Sequence, residues 1–266
     1  MREYFAEVML VGKAPGGPEI HWDRVETQGC AVVSPRGELD AGVYRRFIDD
    51  LVKFAVDEPR AVIVVLDDLV IASEPLYTAF TSAWIRVGDW PGVPILLVMH
   101  DDDRFARLRA SAVRRFVPVY PSLSQALATV GTPPARRRVS VELPSAADSA
   151  QRARRVVEQV CERWELPDIR GDALLIVTEL VENAFLHSRA DADLELRLEM
   201  REDLFTVAVA DADPREAVLR EPTPGSPRLY GLHVVARLAR TWGCAPRRPV
   251  GKVVWAVLPT SRRLSH

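Results

Sequence analysis

Apolar positions fall into two different rhythms along this chain, one in each half. Between residues 29 and 130, short unbroken apolar runs alternate with helical spacing. Cys30-Ala-Val-Val33, Ala61-Val-Ile-Val-Val-Leu66, Val93-Pro-Ile-Leu-Leu-Val98 and Phe116-Val-Pro-Val-Tyr120 read as four strands. The second of these is continuous enough to be covered on both faces. Val43, Phe47, Ile48, Leu51 and Phe54 share one helical face behind Asp40, which predicts a helix N-capped by Asp40 and stopped by Pro59. Residues 76–87 read as a second helix, and a third is expected near 103–113. Ser122-x-x-Gln125 has the capping-box pattern for a last one, Leu123 to Val130. Alternating strand and helix predicts a mostly parallel sheet with helices packed on it.

The second half opens with an alternating strand, Val139-Ser-Val-Glu-Leu143, and a helix behind Asp148 carrying Ala153, Val156, Val157, Val160, Cys161 and Trp164 at i, i+3, i+4 spacing. Asp172 to Ser188 is a second helical stretch. Leu194–Leu198 and Phe205–Val209 alternate and predict an antiparallel pair across Arg201-Glu-Asp203. A helix from Leu232 to Leu238 and a strand from Val253 to Val257 follow. Two leading helices and an antiparallel sheet fit an α/β sandwich. The expected organisation is an N-terminal extension (1–28), a first domain (29–130), a linker (131–138) and a second domain (139–262). The linker holds two prolines and three arginines, the chemistry of an exposed connector.

The 172–188 helix carries the candidate chemistry. Ala173, Ile176, Val177, Leu180, Val181 and Ala184 form its apolar face, while Glu179, Asn183 and His187 recur at i, i+4 and i+8 on another. One reading is an ordinary amphipathic helix whose polar face meets solvent. The other is a ligand site, because aligned polar groups on a buried helix need partners. Asn183 has a carboxamide oxygen suited to Mg²⁺, and Glu179 could hold or deprotonate a nucleophile beside it.

Composition narrows the classes. With 266 residues, 48% of them hydrophobic, two domains can each bury a core. A net charge of −2 gives no support for nucleic acid or an anionic membrane as the main partner. Three widely spaced cysteines fit a reducing cytoplasm better than a disulfide framework or a zinc site. No signal peptide and no apolar run of membrane-spanning length is visible, and the Arg- and Ala-rich composition suggests a bacterial source. His100-Asp-Asp-Asp103 reads as a solvated loop leading into a helix, since contiguous residues rarely converge on one ion.

Thr178-Glu-Leu-Val-Glu-Asn-Ala-Phe-Leu-His187 resembles the asparagine-containing box of the Bergerat-fold (histidine-kinase-like) ATPases, and within them most closely the anti-sigma-factor serine kinases. The resemblance implies an α/β sandwich binding ATP and Mg²⁺, with Asn183 on the metal and Glu179 as the base that takes the proton of a substrate serine. Asp211, after the 205–210 strand, would accept the amino hydrogens of adenine. Pro224-Gly-Ser-Pro-Arg-Leu-Tyr-Gly-Leu232 is similar to the lid and glycine box, with Gly231 opening a helix toward phosphate and Arg228 adding charge. Here the usual Gly-Arg-Gly-Leu is Leu229-Tyr-Gly-Leu232, and Val253 replaces the threonine of a Gly-Lys-Thr-x-Trp ending. His187 is read as a structural hydrogen-bonding residue.

Residues 29–130 resemble the STAS domains of anti-sigma-factor antagonists, on Gly37-Glu-Leu-Asp40, the Val-Val-Leu-Asp strand end at 64–67, Gly92–Val98 and Phe116–Leu123. Such antagonists carry a phosphorylated serine in Asp-Ser-Ser-Gly-Leu, which is Ala72-Ser-Glu-Pro-Leu76 here. Ser73 stands at the phosphosite, but as a helix cap with Pro75 in the first turn it has a plainer role. The two resemblances imply a cytoplasmic regulator of the partner-switching type. Its second domain would phosphorylate or sequester a STAS-type antagonist, with a sigma factor as a further protein partner and a homodimer through the kinase domain as the family habit. The alternative is a catalytically degenerate binding module acting through contacts between the two kinds of domain.

Overall fold

The computed structural model describes residues 19–131, 136–187, 192–219 and 231–261. The chain divides into two compact units, residues 1–132 and 133–266. In the first, β1 (His21–Thr27), β2 (Cys30–Leu39), α1 (Tyr44–Val56), β3 (Val62–Val65) and β4 (Leu69–Ile71) lead through a 3₁₀ turn (Glu74–Tyr77) into α2 (Thr78–Gly88). After them come β5 (Ile95–Val98), α3 (Asp102–Ala110), a second 3₁₀ turn (Ala112–Arg115), β6 (Val119–Tyr120) and α4 (Leu123–Thr129).

The sheet order is β1-β2-β3-β5-β6, with β4 paired to the far end of β2. Every pairing is parallel except β1 with β2. The apolar runs do what continuous runs should: β5 is buried throughout, and β3 nearly so. Cys30, Val32, Ile63, Leu96 and Val98 pack with Ala126 of α4 into one core cluster. Phe47 of α1 stacks between Trp22 and Phe80 of α2, with centroids 5.1 and 5.5 Å away.

Three expectations for this unit are corrected. Residues 21–27, assigned to an N-terminal extension, are the edge strand of the sheet, in register with β2 from His21 opposite Arg36 to Thr27 opposite Cys30. Gln28 and Gly29 join them with φ of 53° and 74°, the left-handed pair that a two-residue hairpin requires. Asp40 does not cap α1. Its Oδ1 accepts from the backbone N–H of Gly42 and Val43 (2.8 and 3.0 Å), closing the turn before the helix. Ser73 occupies the cap position of the Glu74–Tyr77 turn but accepts no capping hydrogen bond there, although Pro75 does stand in the first turn. The Ser122 cap does form, accepting from the Gln125 N–H at 3.3 Å.

The second unit runs β7 (Arg136–Leu143), α5 (Ser149–Arg163), α6 (Arg170–His187), β8 (Leu194–Arg201), β9 (Leu204–Asp211), α7 (Gly231–Leu238), β10 (Thr241–Pro246) and β11 (Lys252–Pro259). Its sheet, β10-β11-β9-β8-β7, is antiparallel throughout. Val157 and Val160 of α5 and Ile176, Val177 and Leu180 of α6 share a core with Leu196, Leu198, Val207, Val254 and Ala256 of the sheet. Removing an aliphatic side chain of this kind from water contributes roughly 1.5–3 kcal/mol.

Here the expected 131–138 linker is shortened, because Arg136–Arg138 are the first residues of β7, opposite Arg201–Glu199 of β8. Arg138 lies 3.1 Å and Arg136 3.5 Å from the buried Glu199 carboxylate, so these arginines close a sheet edge. β10 had no signal in the pattern. It is fixed by pairing with β11, and a side chain at Gly243 would collide with the Trp255 ring, 2.6 Å from the position of a Cβ.

Candidate functional site

Helix α6 buries Ala173, Ile176, Val177, Leu180, Val181 and Ala184, which turns Glu179 and Asn183 away from the core. Both are half-buried and both line a cavity of about 750 Å³, whose wall also includes Glu182, Gly231, Asp213 and Lys252. His187, the third of the aligned polar residues, is exposed at the helix end and touches the same cavity. The shared face predicted from spacing is therefore a concave one.

Gly231 begins α7, and a Cβ there would lie 2.5 Å from Glu179 Oε2. Glycine lets the first turn of α7 come directly against the Glu179 carboxylate. Burial pushes the Glu179 pKa up, and the neighbouring negative charge of Glu182 pushes it further. Arg228 lies outside the described residues.

Another part of the wall comes from Asp213, after β9, and Lys252, at the start of β11, with Asp211 buried in contact with both. Asp211 is buried, and its Oδ1 accepts from the Lys252 ammonium at 2.9 Å and from the Asp213 backbone N–H at 2.8 Å. Its Oδ2 has no hydrogen-bond partner among the described residues. Burial drives the Asp211 pKa above its ordinary value, while Lys252, by hydrogen bond and charge, pulls the other way. Asp213 is held well below the usual carboxylate range, first by its hydrogen bonds from Arg215. Gly251, at φ 130°, brings the start of β11 against the Asp211 carbonyl, where a Cβ would clash with that oxygen.

An unpaired, buried carboxylate oxygen is costly unless a donor arrives to use it. An exocyclic amine on a flat heterocycle is such a donor. For a metal, no group of three or more His, Cys, Asp or Glu side chains suited to an ion exists among the described residues. Asn183 can supply one oxygen, so a Mg²⁺ held here would take other ligands from phosphate and water, as that ion commonly does. The residues fit a metal that arrives with its nucleotide.

Residues 143–258 match the family model of the histidine kinase-like ATPase domain. By that match this stretch is similar to histidine kinase-like ATPase domains. Solved structures that resemble the chain include an anti-sigma factor antagonist from Mycobacterium paratuberculosis (19% identity, 42% of this chain and 94% of that one, TM-score 0.37). Another holds the RsbU and RsbW domains of a Mycobacterium tuberculosis protein (13% identity, 49% and 34%, TM-score 0.34). A third is the protein TM1081 (16% identity, 46% and 98%, TM-score 0.34). No curated protein matches the chain.

Within the second unit, the cavity brings Glu179, Asn183 and Gly231 together with Lys252 and Asp213, which hold the buried Asp211. No local sequence pattern assigns a role to Lys252, Asp213 or Glu182. Lys252 stood inside the quoted Gly-Lys-Val ending, and only the pairing of β9 with β11 puts it opposite Asp211. Ser73 belongs to the other unit, exposed at the start of its 3₁₀ turn. Among the described residues no helix is long and apolar enough to cross a membrane.

Proposed function

We propose that the second unit binds ATP with Mg²⁺ and transfers phosphate to a serine of a STAS-type protein, as part of a bacterial partner-switching regulator in the cytoplasm. The observation that carries this reading is the buried Asp211, whose Oδ2 has no hydrogen-bond partner among the described residues and which is held by Lys252 and Asp213, two residues that line the cavity with Asn183 and Glu179. Asp211 would receive the adenine amine, Asn183 would hold the cation, and the backbone start of α7 at Gly231 would meet phosphate, where free N–H groups and the helix dipole favour negative charge. Arg228 is assigned to the same phosphates from its sequence position. Glu179 would accept the serine proton while metal and phosphates are held in line. The protein partners in this reading are a STAS-type antagonist and a sigma factor, either of which the unit would hold. A homodimer through this unit belongs to the same reading.

A second reading, a binding module that works without phosphoryl transfer, is favoured by one observation. Val253 is buried next to Lys252, and it brings an apolar side chain where the resembling ATPases have a hydroxyl.

Titration of the full chain with ATP, with and without Mg²⁺, tests the nucleotide site. Saturable binding that tightens with Mg²⁺ is expected, and Asp211→Asn should weaken it by about 1.5–3 kcal/mol, the worth of a hydrogen bond to a charged group. No saturable binding at millimolar ATP sinks the reading. Binding without transfer to any STAS protein leaves the module reading standing.

A further inference from the structure

Lys252 is 3% exposed, yet it is a cation at the head of a strand whose next six residues, Val253 to Leu258, are all buried and apolar. Its ammonium donates to Asp211 Oδ1 at 2.9 Å and to the Asp213 carbonyl at 3.2 Å, and lies 3.6 Å from Asp213 Oδ2. All of these acceptors belong to the end of β9 and the turn after it. The register that puts Lys252 opposite Asp211 depends on Gly251, since any side chain there would collide with the Asp211 carbonyl.

We propose that Lys252 is a positioning residue that sets base selectivity. By filling Asp211 Oδ1 and balancing its charge, it leaves Oδ2 as an obligate acceptor, so the pocket takes a purine with an amino group at position 6 over one with a carbonyl there. The inference rests on the nucleotide-binding reading and adds to it a residue and a discrimination.

The chemistry follows from what a carboxyl group can do in each state. An ionised carboxylate only accepts, so it pairs with a 6-amino group and repels a 6-carbonyl oxygen. A protonated carboxyl can donate, and would accept inosine as readily as adenine. The site buries Asp211, which favours the protonated form, and Lys252 opposes that. The other titratable groups that act on or feel Asp211 among the described residues are Asp213, held ionised by Arg215, and the Cys244 thiol on β10, beyond β11, which burial keeps protonated. Neither supplies a positive charge. Lys252 does not act as a free phosphate ligand, because its ammonium is already engaged by Asp211 and Asp213.

The test compares ATP and inosine triphosphate, each with Mg²⁺, on the full chain as wild type, Lys252→Met and Lys252→Gln. Wild type should prefer ATP by roughly ten- to a hundredfold, the worth of one charged hydrogen bond gained in place of two opposed acceptors. That ratio should vary less with pH than in the Lys252 variants. In Lys252→Met it should fall to about threefold or less and recover as pH rises, because Asp211 must then lose its proton without help. Lys252→Gln restores a donor without a charge and should lie between the two, still varying with pH. A wild-type ratio retained at every pH in Lys252→Met overturns the proposal. So does a wild type that binds both nucleotides equally, a result that leaves nucleotide binding itself intact. A wild type that binds neither removes the nucleotide reading, and this one with it. Should Lys252→Met fail to fold, the carbon-13 spectrum of the Asp211 carboxyl in wild type, assigned with Asp211→Asn, decides: an ionised carboxylate under the conditions of the binding assay is expected, and a protonated one overturns the proposal.

Discussion

As the proposed base, Glu179 would have to meet two demands that usually conflict in a carboxylate. A base must be ionised when the substrate arrives, yet basic enough to hold the proton it takes. Partial burial and the like charge of Glu182 move its pKa up from the ordinary glutamate value, toward neutrality. Phosphoryl transfer should therefore rise with pH through this raised value, because only the deprotonated side chain accepts. Glu182→Gln removes a negative neighbour, lowers the Glu179 pKa and should move the profile to lower pH. Glu179→Gln should keep ATP binding and cut transfer by roughly 10²–10⁴-fold. Single-turnover transfer to a STAS substrate, measured against pH, checks all three. Equal rates in Glu179→Gln and wild type would remove this residue from the chemistry.

At the scale of elements, the turn that follows β4 bears on whether Ser73 can take phosphate. Ser73 is exposed, so access does not protect it from a kinase. Its surroundings argue against phosphate. Glu74 sits in the first turn of the 3₁₀ segment as a permanent negative charge, where the turn's free N–H groups favour it, and Pro75 fixes the backbone beside it. Phosphate on Ser73 would add about 1.5–2 negative charges next to one already present. Incubation of the full chain with ATP and Mg²⁺, followed by mass spectrometry, should find no stoichiometric phosphate on Ser73, with Ser73→Ala unchanged. Stoichiometric phosphate there, lost in Ser73→Ala, would reveal a self-contained switch in place of a fixed partner domain.

For the molecule as a whole, all the described residues assigned to nucleotide lie in one of the two units. Ligand binding stabilises what it touches and the cooperative segment around it. Hydrogen exchange with saturating ATP and Mg²⁺ should slow in α6, in α7, at the end of β9 and at the start of β11, and stay unchanged across residues 19–131. Protection confined to the first unit would place the nucleotide elsewhere.

What the sequence determined by itself was whatever nearest neighbours along the chain decide. The i, i+4 spacing of Glu179 and Asn183 put both on one face of α6, and the buried apolar stripe beside them set which face that was. Continuous apolar runs located β3 and β5, because a strand covered on both sides needs no alternation. Only tertiary structure decided the rest. The residues of β1 are largely polar, as suits an exposed edge, so its place came from a hairpin with β2. β10 has no period of its own and follows β11, with Gly243 making room for Trp255. The arginines of 136–138 looked like a connector until Glu199 appeared opposite them. Lys252 and Asp211 stand 41 residues apart in sequence, and no local pattern links them. An antiparallel ladder brings them within a hydrogen bond, and burial then makes each charge depend on the other.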